Sequence, residues 1–476
     1  MSGKLTRRQF LQISGTGAIA ASFGLWGCAN ELPAKPNIIY IMADDLGYGD
    51  LGCYGQEQIQ TPNLDRMANE GIRFTDHYAG STVCAPSRSV LMTGKHTGHT
   101  YIRGNQEVKP YGQEPLRGEI RTVAEMLKDA GYSTGCIGKW GLGPPDTEGA
   151  PVNQGFDYFF GYLGQRHAHN YYPEYLFRNN ERVPLDNVVE NDRLDGAGQA
   201  TKKVQYAHDL IAEEAMSFVQ SHKTEPFYLY FSPTIPHANN EAGDEGMEIP
   251  DHGQYADKDW PEPQKGLAAM ISRLDRDVGE LLDMIQQMNL DRNTIVLFTS
   301  DNGPHAEGGN DPYFFDSNGP LRGIKRDLYE GGIRVPMIAW WPGQISPGSE
   351  TDHPSAFWDF LPTAADLAGI TDIPENDGIS YLPAMLGQAQ PEHEYLYWEF
   401  PARGGKQAVR MGDWKGVRLE VRELGRQAPM ELYNLAEDIS EENNVASERP
   451  DIVEQIAQIM DEAHSESLLF PLYPDE

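Results

Sequence analysis

The chain has 476 residues, of which 39% are hydrophobic and 10% aromatic, which allows a sizeable core and excludes the disordered class of proteins. Its 71 acidic and 38 basic residues give a formal net charge of −33, which argues against binding of nucleic acid. Any anion that the protein handles must therefore be gathered by a local basic pocket.

The N-terminus has the pattern of an export signal. A positively charged start precedes a short apolar run at residues 13–26, and the stretch TRRQFL at residues 6–11 resembles the twin-arginine signal. An ordinary secretory signal with two chance arginines is the alternative. We expect residues 1–27 to be a signal peptide, residues 28–35 to be a linker, and the mature protein to lie in the periplasm or cell envelope.

The cysteines are too few, 4 in the whole chain, for a disulfide scaffold. The apolar run ends in LWGC, which resembles a bacterial lipobox with Cys28 as the first mature residue. A lipid on Cys28 would tether the protein to the membrane as an outer-membrane lipoprotein, whereas the alternative is a freely soluble protein. Cys53 and Cys136 are either buried thiols or a pair, and Cys84 needs a separate explanation.

Strands alternate with helices through most of the chain. The predicted elements are, in order, a buried strand in NIIYIMADDLG at 37–47, a helix at 122–130, a strand and loop at 133–143, a strand in EPFYLYFSPTIPH at 225–237, an amphipathic helix at 267–288 and a strand in NTIVLFTSDNG at 293–303. This alternation indicates an α/β domain over residues 36–388, with a large, mostly parallel sheet flanked by helices. Ligands of such sheets bind beyond the carboxyl ends of the strands.

The pattern changes near residue 390. The stretches HEYLYWEF, KQAVRMGDWKGVRLE and MELYNL have the pattern of short antiparallel strands, and a final helix is expected to begin near Pro450. We expect residues 389–476 to form a smaller α+β domain with an antiparallel sheet, packed on the first domain.

Acidic and amide side chains follow two of the predicted strands. Asp44 and Asp45 end the first, and Asp301 and Asn302 end the last. Each pair alone is more typical of a turn or a helix cap. Together they bring four hard oxygen donors, which suit Ca²⁺ or Mg²⁺ better than zinc.

The stretch CAPSRSVLMTG, residues 84–94, matches at every defined position the pattern Cys-x-Pro-Ser-Arg-x-x-x-x-Thr-Gly. This is the signature of type I, arylsulfatase-like sulfatases of the alkaline phosphatase superfamily, which the chain resembles from about residue 35 to its final helix. The resemblance implies that a maturation enzyme oxidises Cys84 to formylglycine, whose hydrated form attacks sulfur. Pro86 independently favours a first helical turn here, which would place Cys84 at a helix N-terminus that attracts anions.

The resemblance also assigns roles to other residues. It implies that Arg88 braces the nucleophile, that Lys139 and Lys325 hold the sulfate oxygens, and that His237 protonates the leaving alcohol. The implied ligands of one calcium ion are Asp44, Asp45, Asp301, Asn302 and the modified Cys84.

One position departs from the family pattern. Many members read Gly-Lys-Trp-His-Leu-Gly, with a histidine that helps to expel sulfate, but this chain has Gly141 there. Water or another histidine replaces it, or turnover is slow, or activity has been lost. His305 is the favoured replacement, and it could equally contact the substrate.

The substrate is expected to be a sulfated carbohydrate, such as a galactose-type sugar of a polysaccharide. The stretch GQRHAHNYYPEYLFRN at 164–179 combines aromatic and polar groups that suit sugars, although a purely structural loop fits equally well. The candidate substrate contacts are Arg166, His167 and His169 in this stretch, and Arg103 and Asn105 in TYIRGN.

Two other functions compete with a sulfatase. A phosphonate or phosphodiester hydrolase of the same superfamily would act on esters of similar geometry. A non-catalytic lipoprotein that binds sulfated glycans would explain Gly141 and the lipobox together.

Overall fold

The computed structural model describes residues 32–109, 112–190 and 195–476. The predicted signal peptide, its twin arginines and Cys28 lie outside the described residues. Residues 33–476 form one compact unit. Within the described part of the chain, no helix is long and apolar enough to cross a bilayer.

Sixteen strands and ten α-helices make up the described fold. The strands are β1 Asn37–Ala43, β2 Ile72–Phe74, β3 His77–Tyr78, β4 Ser133–Lys139, β5 Tyr158–Tyr162, β6 Tyr175–Arg178, β7 Glu181–Pro184, β8 Phe227–Ser232, β9 Thr294–Ser300, β10 Met337–Trp340, β11 Ser349–Thr351, β12 Ser355–Ala356, β13 Leu396–Phe400, β14 Lys406–Met411, β15 Trp414–Leu419 and β16 Met430–Asn434. The helices are α1 Pro62–Glu70, α2 Cys84–Thr93, α3 Val123–Asp129, α4 Ala207–Ser221, α5 Glu262–Gln287, α6 Glu330–Ile333, α7 Phe360–Ala368, α8 Leu382–Met385, α9 Val421–Leu424 and α10 Pro450–Glu462.

The main sheet has ten strands in the order β11-β2-β10-β9-β1-β8-β4-β5-β6-β7. Its central strands β9, β1, β8, β4 and β5 run parallel. The antiparallel pairs lie outside this centre, where β10 pairs with β9 and β2, and β6 pairs with β5 and β7. The predicted α/β architecture with a large sheet is confirmed. The parallel part of the sheet is its centre, which contains the strands predicted from buried apolar runs.

Helices cover both faces of this sheet. All seven residues of β1 are buried, which explains why its sequence shows no alternation of polar and apolar residues. Tyr40 and Met42 face a core shared with α2, α3 and α7. Ile39 and Ile41 face the opposite core, which α4 and α5 complete.

The four-stranded antiparallel sheet β13-β14-β15-β16 confirms the predicted C-terminal sheet. Helix α10 begins at the predicted proline and packs on this sheet through Ile452, Ile456 and Met460. Gly416 in β15 allows this approach, because a Cβ there would lie 2.7 Å from the Ile456 side chain. The domain boundary between residues 388 and 389 stays a prediction.

The thiols of Cys53 and Cys136 are both free. Of the two alternatives for these residues, the structure therefore favours separate thiols, with Cys136 buried in β4 and Cys53 partly buried.

Candidate active site

The carboxyl ends of β1 and β9 bring the acidic pairs together. The Asp45 N–H donates to Asp301 Oδ1 at 3.1 Å, and Asn302 Nδ2 donates to Asp45 Oδ1 at 2.7 Å. Asp44, which follows β1 directly, is also fully buried. Because neighbouring parallel strands end at the same edge, residues more than 250 positions apart in the chain meet here.

Cys84 is the first residue of α2, as the proline in its first turn favours. Its Sγ lies 3.5 Å from Asp44 Oδ1, and the N–H of the next residue, Ala85, donates to Asn105 Oδ1 at 3.0 Å. Burial, reinforced by the charge of Asp44, raises the pKa of the Cys84 thiol far above its ordinary value. The unmodified side chain is therefore a protonated thiol at neutral pH, which is a poor nucleophile.

Three buried cations face the three carboxylates. Arg88 donates to Asp301 Oδ2 at 3.0 Å. Lys139 Nζ donates to Asp44 Oδ2 at 2.7 Å, and Lys325 Nζ donates to Asp45 Oδ2 at 2.6 Å. The protein charges thus nearly balance, so a bound divalent cation would make the site net positive and suited to a sulfate group.

The carboxylates differ in their affinity for protons. Burial acts to raise the pKa of Asp44, but the charges of Lys139 and Arg88 outweigh it and hold that pKa well below its ordinary range. Burial and repulsion by Asp44 instead raise the pKa of Asp301 to about 7. A further positive charge, in addition to Arg88, would stabilise the ionised form of Asp301.

The oxygen donors of the cluster fit a hard divalent cation. Asn302 Oδ1 is buried and accepts no hydrogen bond from any residue that the structure describes. Such an unpartnered acceptor beside Asp44, Asp45 and Asp301 matches the oxygen ligands that calcium takes. Ligand atoms of Asp44, Asp45, Cys84 and His237 also lie within 4.8 Å of one another.

His237 lies beyond the end of β8 and against Lys325. Its Nδ1 is 2.6 Å from the Ala238 carbonyl oxygen, which can only accept, so Nδ1 carries a proton. Its Nε2 lies 3.1 Å from Lys325 Nζ and 3.5 Å from Asp45 Oδ2. Burial and the Lys325 charge lower the pKa of His237 well below its ordinary value.

A cavity of about 350 Å³ opens onto these groups. Its lining includes Cys84, His237 and Lys325, together with Asn105, Arg166 and His169. The His169 ring stacks on the His237 ring at 4.9 Å between centroids, and Arg166 reaches the same wall. A larger cavity of about 860 Å³ lies elsewhere and contains none of the predicted nucleophile, metal or sulfate-binding residues.

The structure places Arg103, a predicted substrate contact, outside the lining of the 350 Å³ cavity. Its guanidinium lines the larger cavity and pairs with Glu399 at 2.9 Å, where both side chains are buried, and it also donates to Ser465 Oγ at 2.7 Å. Arg103 therefore links the segment after α2 to β13, a role that no local sequence pattern predicts.

An Arg103→Met variant is expected to lower the free energy of unfolding by about 3 kcal/mol, the low end for a broken buried ion pair. Glu399 keeps its contacts with His464 and Tyr397, which limits the loss. The KM for sulfate esters should stay as in the wild type. Thermal unfolding and steady-state kinetics check this, and a raised KM at unchanged stability would contradict it.

His167 is a core residue and not the predicted substrate contact. Its ring packs against Tyr162 at 5.0 Å and Tyr175 at 4.5 Å, away from the 350 Å³ cavity. Burial lowers the pKa of His167 to about 3, so it is neutral at physiological pH.

His305 also lies outside the cavity lining. It is fully buried behind His237, with 5.9 Å between ring centroids, and its Nε2 is 3.2 Å from the Pro236 carbonyl oxygen. His305 is therefore neither in the cavity, where it could contact the substrate, nor beside Gly141.

Two glutamates near the cations were not singled out from the sequence. Glu307 Oε2 lies 3.3 Å from Lys325 Nζ. Glu241 accepts from Arg166 at 3.1 Å and lies 3.0 Å from His169 Nδ1. Nothing in the local sequence marks them, because both meet their partners only through the tertiary fold.

Comparison with known proteins identifies the family of the chain. The family model described as Sulfatase matches residues 36–370, and that described as N-sulphoglucosamine sulphohydrolase, C-terminal, matches residues 324–466. N-acetylgalactosamine-6-O-sulfatase of Bacteroides thetaiotaomicron is 32% identical over 90% of this chain and 93% of its own. Human arylsulfatase A is 32% identical over 89% of this chain and 87% of its own.

A solved structure of Ps i-CgsB in complex with k-i-k-neocarrahexaose superposes with a TM-score of 0.74. It is 29% identical, and the match covers 90% of this chain and 92% of the other. The chain thus belongs to the sulfatase family, with an alkaline-phosphatase-like fold, and is a sulfuric ester hydrolase.

Proposed function

We propose that this sulfatase removes sulfate from sulfated carbohydrates, using formylglycine formed from Cys84 and one calcium ion. The observation that carries the proposal is the position of Cys84, at the start of α2, 3.5 Å from Asp44 and in one cavity with His237 and Lys325. The names of the relatives support the substrate class, since one is an N-acetylgalactosamine-6-O-sulfatase and one is in complex with k-i-k-neocarrahexaose.

Asp44, Asp45, Asp301 and Asn302 would hold the calcium ion. When bound, formylglycine supplies the nucleophilic oxygen and calcium supplies positive charge toward the sulfate oxygens. Lys139 and Lys325 orient the sulfate group from the same buried side, where exclusion of water strengthens their attraction. Arg88 fixes Asp301 and, through the Lys139 carbonyl oxygen at 2.5 Å, the end of β4.

His237 is the proton donor to the departing sugar oxygen. Because the Ala238 carbonyl holds the Nδ1 proton, Nε2 is the nitrogen that exchanges a proton with the leaving group. Nε2 of the neutral ring carries no proton of its own, so it relays one to the leaving oxygen from the Lys325 ammonium, 3.1 Å away.

A His237→Asn variant is expected to lose about 10²–10⁴-fold in kcat on a sugar sulfate, the contribution of a positioned general acid. The loss should be much smaller on 4-nitrophenyl sulfate, because nitrophenolate leaves without a proton. Rates on both substrates check this, with His222→Asn at the partly exposed end of α4 as the control. Equal losses on both substrates would mean that His237 is not the proton donor.

The substrate class is tested by sulfate release from a panel of sulfated sugars. Galactose 6-sulfate, N-acetylgalactosamine 6-sulfate and carrageenan oligosaccharides form the panel, with matched phosphate esters as the comparison. Activity confined to small aryl sulfates would contradict a carbohydrate substrate. Faster release of phosphate than of sulfate would instead favour the phosphate-ester alternative.

We also propose that residues 1–27 direct export and that Cys28 carries a lipid, on the sequence pattern alone. Conversion of Cys84 requires a maturation enzyme in the producing cell. Mass analysis of the N-terminal peptide after cell fractionation tests export and lipidation together.

A further inference from the structure

The side chain of Gln165 fills the space beside Gly141. Gly141 follows β4 in a left-handed conformation with φ +78°, and a Cβ there would lie 2.1 Å from Gln165 Nε2. The Gly141 N–H donates to the Leu163 carbonyl oxygen at 3.1 Å, which holds the segments after β4 and β5 side by side. This pairing brings Gln165, two residues further on, over the glycine.

The amide nitrogen of Gln165 has no hydrogen-bond partner among the residues that the structure describes. The side chain is 6% exposed and lines the 350 Å³ cavity with Cys84 and His237, yet its Nε2 makes no hydrogen bond to any described residue. A buried donor without an acceptor is unfavourable, and native proteins rarely keep one. A ligand with acceptor oxygens would satisfy it.

The two lysines in this region are already engaged. Lys139 and Lys325 each donate to a carboxylate, at 2.7 and 2.6 Å. Gln165 differs from these lysines because its Nε2 has no acceptor in the described protein, a property it shares with Gln113 Nε2 on the same cavity lining. It is also neutral, so it neither titrates nor repels the cations around it.

We propose that the Gln165 carboxamide donates a hydrogen bond to an oxygen of the sulfate group, in both the bound ester and the sulfate product. Sulfate oxygens only accept hydrogen bonds, which matches an unpaired N–H donor. Gln165 lies beside Gly141, two residues after the Lys139 whose Nζ reaches Asp44, and it lines the same cavity as Cys84. The inference rests on the proposed function of that cavity and names a further group that recognises sulfate.

The test compares Gln165→Met, which keeps the side-chain length and removes the donor, with wild-type enzyme that carries converted Cys84. Loss of a hydrogen bond to a charged group predicts a fall of about 10–100-fold in kcat/KM on 4-nitrophenyl sulfate. The inhibition constant of inorganic sulfate should rise by a similar factor. Gln165→Glu, nearly identical in shape, should lose more, because its carboxylate repels sulfate.

Gln154→Met is the matched control. Gln154 is a fully buried glutamine whose Nε2 donates to the Glu148 carbonyl oxygen at 2.8 Å, and it does not line the cavity. Its replacement should lower the melting temperature and leave the sulfate inhibition constant unchanged.

A second readout does not depend on turnover. Calorimetric titration of inorganic sulfate into Cys84→Ala protein should give a Kd at least about 10-fold lower than in the Cys84→Ala/Gln165→Met double variant. If Gln165→Met does not fold, the Gln165→Glu protein gives the same comparison.

The outcomes separate the inference from the proposed function. An unchanged sulfate inhibition constant and Kd in an active Gln165→Met enzyme would overturn the inference and leave the function standing. An effect on the KM of sugar sulfates alone would also overturn it, because the amide would then contact the sugar. If the wild type hydrolyses no sulfate ester, the proposed function fails, and the calorimetric comparison still decides the role of Gln165.

Discussion

A Cys84→Ala variant is expected to lose at least about 10⁴-fold in kcat on 4-nitrophenyl sulfate, as an enzyme does when its nucleophile is removed. Its stability should change little, because among the described residues Cys84 Sγ makes one weak hydrogen bond, to Asp44 Oδ1 at 3.5 Å. Rates and melting temperatures check both parts. Cys136→Ala, which removes a buried free thiol of β4 outside the cavity, is the control that should stay active.

Comparison with the same variant also shows whether activity requires the modified side chain or only the thiol. In wild-type protein from a host with the maturation enzyme, the peptide containing residue 84 should be about 18 Da lighter than the unmodified sequence, which is the thiol-to-aldehyde change. Protein from a host without that enzyme should keep the thiol mass and hydrolyse sulfate esters no faster than Cys84→Ala. Full activity with an intact thiol would contradict the proposed chemistry.

An Asp45→Asn variant is expected to lose bound calcium and about 10³-fold or more in kcat, since the metal supplies several kcal/mol of charge stabilisation. Asparagine tolerates the left-handed backbone of this position, where φ is +67°, so the fold should survive. Metal content by elemental analysis and rates with and without added calcium check the result. Prolonged treatment of the wild type with a chelator should give the same loss, reversed by calcium.

Asp50→Asn is the control for this variant. Asp50 is a buried carboxyl that accepts from the Gly47 N–H at 2.7 Å and takes no part in the oxygen cluster. Burial raises its pKa to about 7, so asparagine closely imitates its protonated form. Calcium content and kcat should match the wild type, and an equal loss in both variants would argue that neither effect comes from a metal ligand.

Much of the fold and the centre of the site could be predicted from the sequence, because both depend on the central parallel strands. A buried apolar run that stops at acidic residues, as before Asp44 and before Asp301, predicts a strand and also the edge at which its polar end lies. The signature from Cys84 to Gly94 then marks the same edge. The edge strand β7 lacks such a run, since Glu181, Arg182 and Pro184 are exposed, and no sequence pattern predicts its pairing with β6.

The groups around this centre depend on tertiary packing. His167 and His169 stand two residues apart in one short turn, yet one enters the core and the other lines the cavity. Their chemistry is the same, so only the position of the turn over β5 decides between them. Arg103 likewise meets Glu399 across 296 residues, a contact that no local pattern shows.

The depth of Cys84 bears on the order of events during biosynthesis. The side chain is 2% exposed, and every residue of α2 is buried between the sheet and its neighbouring helices. A second protein cannot reach a side chain so enclosed, so the oxidation proposed here has to precede the closure of α2 against the sheet. The segment with the signature leaves the ribosome long before β9 and Lys325, which gives the maturation enzyme an interval in which the thiol is still accessible. For a client exported in the folded state, that interval ends inside the cell.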